Sequence, residues 1–205
     1  MKRLHIALDI DGTLNTSAAD FEIPLCEQWL EKRGLPKSDV HYDKVHIKDA
    51  LNLDKKIVKE WMDYFFPINC RENPPAPGVP EGIRYLHQLG HKISIVTRRD
   101  PKYPGKYSGE EMVRDTKNWF VKFDIPYDEI YFGCKDKAKV LKEIKADIMV
   151  EDEELNILPI AKEGISCIIV AQPYNKECDV LNPNIIRVDG WPSIIRLIYN
   201  ISMVL

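Results

Sequence analysis

The sequence predicts an α/β fold, a doubly wound parallel sheet with a small helical insertion after its first strand, and three observations carry that prediction. The run His5-Ile6-Ala7-Leu8 is short, apolar and unbroken, as a strand buried on both faces should be, and Gly12 stops it. From Pro80 onward, short apolar runs alternate with helical patterns, the order that builds a parallel sheet with right-handed crossovers. Between these parts lie about sixty residues with helical periodicity and no buried-strand pattern, so the sheet is interrupted there.

The elements follow in chain order. In the insertion, Pro24 opens a helix over 24–33 that aligns Leu25, Cys26, Trp29 and Leu30 on one face before Gly34 ends it. A second helix is capped by Asp54 and carries Ile57, Val58, Trp61, Tyr64 and Phe65 at helical spacing, with Pro67 expected to close it. The clustered prolines of Asn73-Pro74-Pro75-Ala76-Pro77-Gly78 form a linker back into the main domain. The predicted organisation is a core of residues 1–16 and 75–205 with a helical cap over 17–74. Beyond the linker the pattern predicts helices over 80–89, 108–123, 135–145, 155–163 and 192–199. Strands are predicted over 92–97, 130–132, 147–151 and 166–170.

Composition excludes several function classes. A chain of 205 residues holds one well-cored domain and a small appendage, and its net charge of −3 offers no basic field for polymeric DNA or RNA. No apolar run reaches transmembrane length and no leader pattern precedes the first strand, so a cytoplasmic protein with no membrane partner is expected. The five cysteines lack metal-site spacing and read as reduced packing residues, and His5 reads as a satisfied core or edge residue. Oligomeric state is not legible.

Chemistry collects at the carboxyl ends of strands, where open α/β sheets bind ligands. Asp9 and Asp11 follow the first strand, Thr97 with Arg98 and Arg99 follows the next, and Glu151-Asp152 follows a later one. Lys137 opens the helix between the last two. Each alone reads as a cap, a turn or a solvated face. Together they suit phosphoryl transfer: carboxylates hold Mg2+, an ammonium and a hydroxyl hold phosphate oxygens, and one carboxylate attacks.

Asp9-Ile10-Asp11-Gly12-Thr13, Thr97, Lys137 and Glu151-Asp152 resemble, in order, the four motifs of the haloacid dehalogenase-like hydrolase superfamily, over nearly the whole chain. The resemblance implies a Rossmann-like core, a cap over the catalytic crevice and Mg2+ as cofactor. It implies Asp9 as the nucleophile that forms an aspartyl-phosphate, and Asp11 as general acid and then base. Thr97 and Lys137 would hold the transferring oxygens, with Asp9, the Asp11 carbonyl and Asp152 on the metal. Glu151 departs from the commoner residue at its position, which leaves its metal role open, and Lys135 is the fallback for Lys137. Finer features, among them Val96-Thr97-Arg98-Arg99 and Gln172-Pro173-Tyr174-Asn175, look like the deoxyribonucleotidase group.

The expected activity is phosphomonoester hydrolysis of nucleoside monophosphates, with sugar phosphates or other small phosphate esters as the alternative. A non-catalytic phosphate-sensing module is the competing class; receivers place the phosphorylated acid after a later strand and lack a large helical insertion. Arg99 is expected to meet the phosphate or sugar. The cap aromatics are expected in the cap's own core, with Phe66, off the main stripe, as the first to test against substrate.

Overall fold

The computed structural model describes residues 1–204. Six parallel strands form one sheet: β1 (His5–Leu8), β2 (Lys92–Val96), β3 (Glu129–Tyr131), β4 (Ile148–Glu151), β5 (Ser166–Val170) and β6 (Ile185–Val188). Their order is β3-β2-β1-β4-β5-β6. The chain builds outward from β1 on one side, then returns to build outward from β4 on the other. The carboxyl ends of β1 and β4 therefore flank the point where strand order reverses.

Successive side chains of a strand point to opposite faces, and the core divides accordingly. Ile6, Leu8, Ile95 and Val150 pack with α4 (Val79–Gln88), α5 (Gly109–Lys122) and α8 (Trp191–Val204). Ala7, Val96, Met149 and Ile169 pack with α6 (Lys137–Ile144) and α7 (Glu154–Lys162). Two tryptophans also anchor backbone near the site. Trp191 Nε1 donates to the Thr13 carbonyl at 2.8 Å, and Trp119 Nε1 to that of Asn73 at 2.6 Å. Both are buried, and truncating either to alanine is expected to cost about 3–5 kcal/mol.

Between β1 and α4 lie α1 (Ile23–Lys32), the short α2 (Ile47–Ala50) and α3 (Lys55–Glu72). Their inward faces, including Cys26, Trp29, Leu30, Trp61 and Phe65, form an apolar cluster of their own. Asp54 caps α3 by accepting the Lys56 and Ile57 N–H groups. Ser108 and Glu111 close a capping box on α5.

Three local expectations change. Helix α3 continues through Pro67 to Glu72. One lost helical bond is offset by the last turn, where Cys70 packs with Tyr107 and Met112 and Asn69 reaches Asp11. Strand β6, which local pattern does not announce, forms an edge against β5, and α8 extends to Val204. His5 is satisfied as expected, with Nδ1 on the Ile144 carbonyl and Nε2 on the Ser94 hydroxyl. All five thiols are free and buried. Among the described residues, no helix is long and apolar enough to cross a membrane.

Candidate active site

Asp9 leaves β1 still knitted to the sheet, its N–H on the Val150 carbonyl at 3.0 Å. The chain then turns tightly, with the N–H groups of Thr13, Leu14 and Asn15 all reaching the Ile10 carbonyl. Gly12 makes that turn possible. Its φ is +76°, and a Cβ there would lie 2.2 Å from an Asp152 oxygen. The turn after β1 thus packs directly on the acid that follows β4.

Lys137, the first residue of α6, is 3% exposed and connects the two acidic groups. Its Nζ is 2.7 Å from Asp9 Oδ1 and 3.1 Å from Glu151 Oε1. The other Glu151 oxygen accepts the Asp152 N–H at 3.2 Å. Both Glu151 oxygens thus accept N–H donors, one from Lys137 and one from the Asp152 backbone. Asp152 accepts the Thr13 hydroxyl at 3.1 Å and the Tyr174 hydroxyl, and its carbonyl accepts Asn175 Nδ2 at 2.6 Å. Lys135, by contrast, is an exposed lysine beside Asp100.

Asp9, Glu151 and Asp152 offer carboxylate oxygens that lie within 4.8 Å of one another. Burial, then the Glu151 charge, pushes Asp9 up to about 8 against the pull of Lys137. Burial likewise lifts Glu151 and Asp152 to about 7, while the two carboxylates beside it hold Lys137 above its ordinary value despite burial. Three acids facing one ammonium make a hard-oxygen set with surplus negative charge, the chemistry that fits a divalent cation such as Mg2+.

Thr97 is held at the end of β2 by its N–H on the Tyr131 carbonyl and its own carbonyl on the Cys134 N–H. Its hydroxyl accepts the Arg99 N–H at 3.2 Å, which leaves its proton to be donated. Arg99 is engaged by Asp11 and Thr116. Its Nε and Nη2 grip Asp11 at 3.0 and 2.7 Å, and Nη1 reaches Thr116 at 2.9 Å. Asn15 and Asn69 add amide donors to Asp11 at 3.0 and 2.8 Å. The low-dielectric walls would raise Asp11, but the guanidinium and the two amides overcome this and hold it down near 2. The geometry thus redirects Arg99 from substrate to Asp11, because a bidentate carboxylate partner lies within its reach. Arg98 lines the crevice instead.

These groups open on one crevice of about 300 Å3. Asp9, Asp11, Thr97, Lys137 and Asp152 line it from the sheet side, so the expected residues do converge. Glu22, Val45, Phe65 and Asn69 line it from the helical insertion. Phe66, one residue on and about 100° around the helix, packs edge-on against Tyr103 at 5.1 Å. The 101–107 connector is pinned there and by the Tyr107 hydroxyl on Asp115. The sequence signal for Asn69 and Glu22 was present: each is a polar residue on a buried stripe, four residues from Phe65 and Cys26 respectively. The signal for Tyr174 was the Gln172-Pro173-Tyr174-Asn175 turn, which clasps Asp152 through two of its members.

An acid pair after β1, a hydroxyl after β2, a lysine opening α6 and an acid pair closing β4 gather at the reversal point of this sheet, in the order of the haloacid dehalogenase-like motifs that the sequence resembles. No family model matches it. Over 199 residues it is 26% identical to a nucleotidase of Clostridium acetobutylicum, covering 97% of this chain and 95% of that protein. The crystal structure of a predicted phosphatase from Clostridium acetobutylicum superposes with a TM-score of 0.64 at 16% identity, covering 98% of this chain and 100% of that one. That of a predicted phosphoglycolate phosphatase from Haemophilus somnus gives 0.61 at 16% identity, covering 96% and 98%. The two structures share its fold.

Proposed function

We propose that this protein is a Mg2+-dependent phosphomonoesterase acting on nucleoside monophosphates, with residues 17–74 as a cap over the crevice. One observation carries the reading. Asp9, Lys137, Thr97 and Asp152 face a single crevice whose opposite wall includes the apolar ring of Phe65. A nucleotidase relative that aligns over 97% of the chain supports the substrate class.

In the first half-reaction an Asp9 oxygen attacks phosphorus, the ester P–O bond breaks, and the leaving oxygen takes a proton from Asp11. In the second, water gives a proton to the Asp11 carboxylate and attacks phosphorus, releasing inorganic phosphate and free Asp9. Lys137 and Thr97 hold the non-bridging oxygens throughout. Mg2+ held by Asp9, the Asp11 carbonyl and Asp152 would supply the charge neutralisation that lets an anionic nucleophile approach an anionic ester. With its carboxylate gripped by Arg99, Asp11 is ionised and ready for the second half; the first requires it to release the guanidinium and take up a proton from solvent before it meets the leaving oxygen. The five buried free thiols support a reducing, cytoplasmic setting.

A phosphate-release screen over nucleoside monophosphates, sugar phosphates and aryl phosphates tests the reading. Activity should require Mg2+, cease with EDTA and disappear in Asp9→Asn. A kcat/KM preference for sugar phosphates would replace the nucleotide assignment, and turnover by Asp9→Asn would remove the covalent route.

A further inference from the structure

We propose that Glu22 selects the far end of the substrate, accepting N–H or O–H donors there and excluding phosphate esters that carry a second anionic group. The inference rests on the phosphatase reading and deepens it.

Glu22 ends the turn before α1 and lines the same crevice as Asp9 and Lys137, from the insertion side. Its Oε1 accepts the indole N–H of Trp61 at 3.0 Å, and among the described residues no other hydrogen bond engages it. Trp61 in turn stacks on Phe65, with ring centroids 5.1 Å apart and 18° between planes. The carboxyl is thereby fixed beside an apolar ring, its second oxygen left for a ligand. A flat, partly apolar group lying against Phe65 would present its polar edge to that oxygen.

Charge on the surrounding walls sharpens the selection. Lys137 is committed to Asp9 and Glu151, and Arg99 to Asp11. Arg98 follows Thr97 and reaches Asn156 of α7, which places it at the phosphate end. Lys48 and His46 line an adjoining pocket on the other side of Glu22, beside Asp49; within the crevice itself a second carboxylate or phosphate would meet Glu22 without a cation of its own and be repelled. Burial first, and the Asp11 charge to a lesser degree, lifts Glu22 to about 7 against the Trp61 bond. A donor arriving there draws it toward the ionised, accepting form.

Glu22→Gln tests this, since the amide oxygen can still accept the Trp61 N–H and the shape is kept. The matched probes are 2-hydroxyethyl phosphate and 2-phosphoglycolate, similar in length but differing by one charge, together with a panel of nucleoside 5'-monophosphates. In Glu22→Gln, kcat/KM for phosphoglycolate relative to hydroxyethyl phosphate should rise by about tenfold or more. Nucleoside monophosphates should lose about three- to tenfold relative to hydroxyethyl phosphate. Calorimetric Kd values for the same ligands, measured with Mg2+ in an Asp9→Asn background that removes turnover, should shift in the same sense. Unchanged ratios in both kinetics and binding would overturn the selection by Glu22 and leave phosphatase activity standing. A wild type that hydrolyses no ester would instead sink the phosphatase reading, with the Kd ratios still deciding the role of Glu22.

Discussion

Replacing Lys137 by methionine removes one ammonium while keeping most of the buried stem. In the folded chain that ammonium lies 2.7 Å from Asp9 and 3.1 Å from Glu151, with 2% of the side chain exposed. Removing one member of a buried ion pair typically costs about 3–5 kcal/mol, because the partners stay behind uncompensated. Here the loss should sit at the low end of that range, since Asp9 at about 8 and Glu151 at about 7 already hold protons readily and can shed charge. Catalysis suffers twice. Losing a donor to the transferring oxygens is worth about 2.7–4 kcal/mol, or about 10²–10³ in kcat. Without the lysine Asp9 rises further, and each added pKa unit leaves about tenfold less carboxylate at a given pH below it. The assay is kcat on 4-nitrophenyl phosphate at saturating Mg2+ from about pH 6 to 9, beside thermal melts, with Lys135→Met as the matched control. Part of the loss should return at high pH. Retention of kcat within tenfold in Lys137→Met, or an equal loss in Lys135→Met, would refute the reasoning.

Three further outcomes are expected. Gly12→Ala places a Cβ 2.2 Å from an Asp152 oxygen at a φ of +76°, so Mg2+ affinity from calorimetry should fall by at least about tenfold; unaltered binding would show that the turn yields freely. Arg99→Met frees Asp11 from its grip and lets its pKa rise, so protonated Asp11 becomes more available and the ratio of alkyl to aryl phosphate turnover should rise by about tenfold while Mg2+ affinity changes little; a constant ratio would separate Arg99 from proton transfer. For metal-free protein in EDTA the sign follows from three raised carboxyls, which make the folded chain bind more protons than the unfolded one between about pH 4 and 8. Their stabilising contribution is complete below about pH 4 and is lost as pH rises through about 7 to 8, so Tm should decline over that span and recover with Mg2+. A flat Tm would show that the cluster does not titrate as described.

The sheet was legible because a buried parallel strand writes itself as a short apolar run, and Ser166–Val170 appears at its full length. Strand β6 was not, since Ile185–Val188 lies at the edge with mixed exposure and borrows its extended form from β5. Helix α3 looked finished at Pro67 because sequence shows the missing N–H but not the contacts of Asn69 and Cys70 that carry the helix onward. At the site, strand-end position pointed to Asp9, Thr97 and Asp152, and the start of a helix between two strands pointed to Lys137. The Asp11 partner of Arg99 stayed hidden, because a pair 88 residues apart leaves no local trace, and charge type alone fits a phosphate equally well.

The two connections to the insertion lie side by side. Asn15 and Pro75 form an antiparallel bridge, the Thr16 N–H meets the Pro74 carbonyl, the Ala76 N–H meets that of Leu14, and the Asn73 amide meets that of Thr16. The chain therefore departs and comes back at nearly one point, like a ribbon pinched at its base. A short hairpin turn joined across that pinch would spare the sheet any change of register. The intervening helices are in this sense a detachable fitting: a different set grafted at the same two stubs would keep the Asp9, Lys137 and Asp152 side of the crevice, bring its own outer wall, and have to replace the Asn69 bond to Asp11.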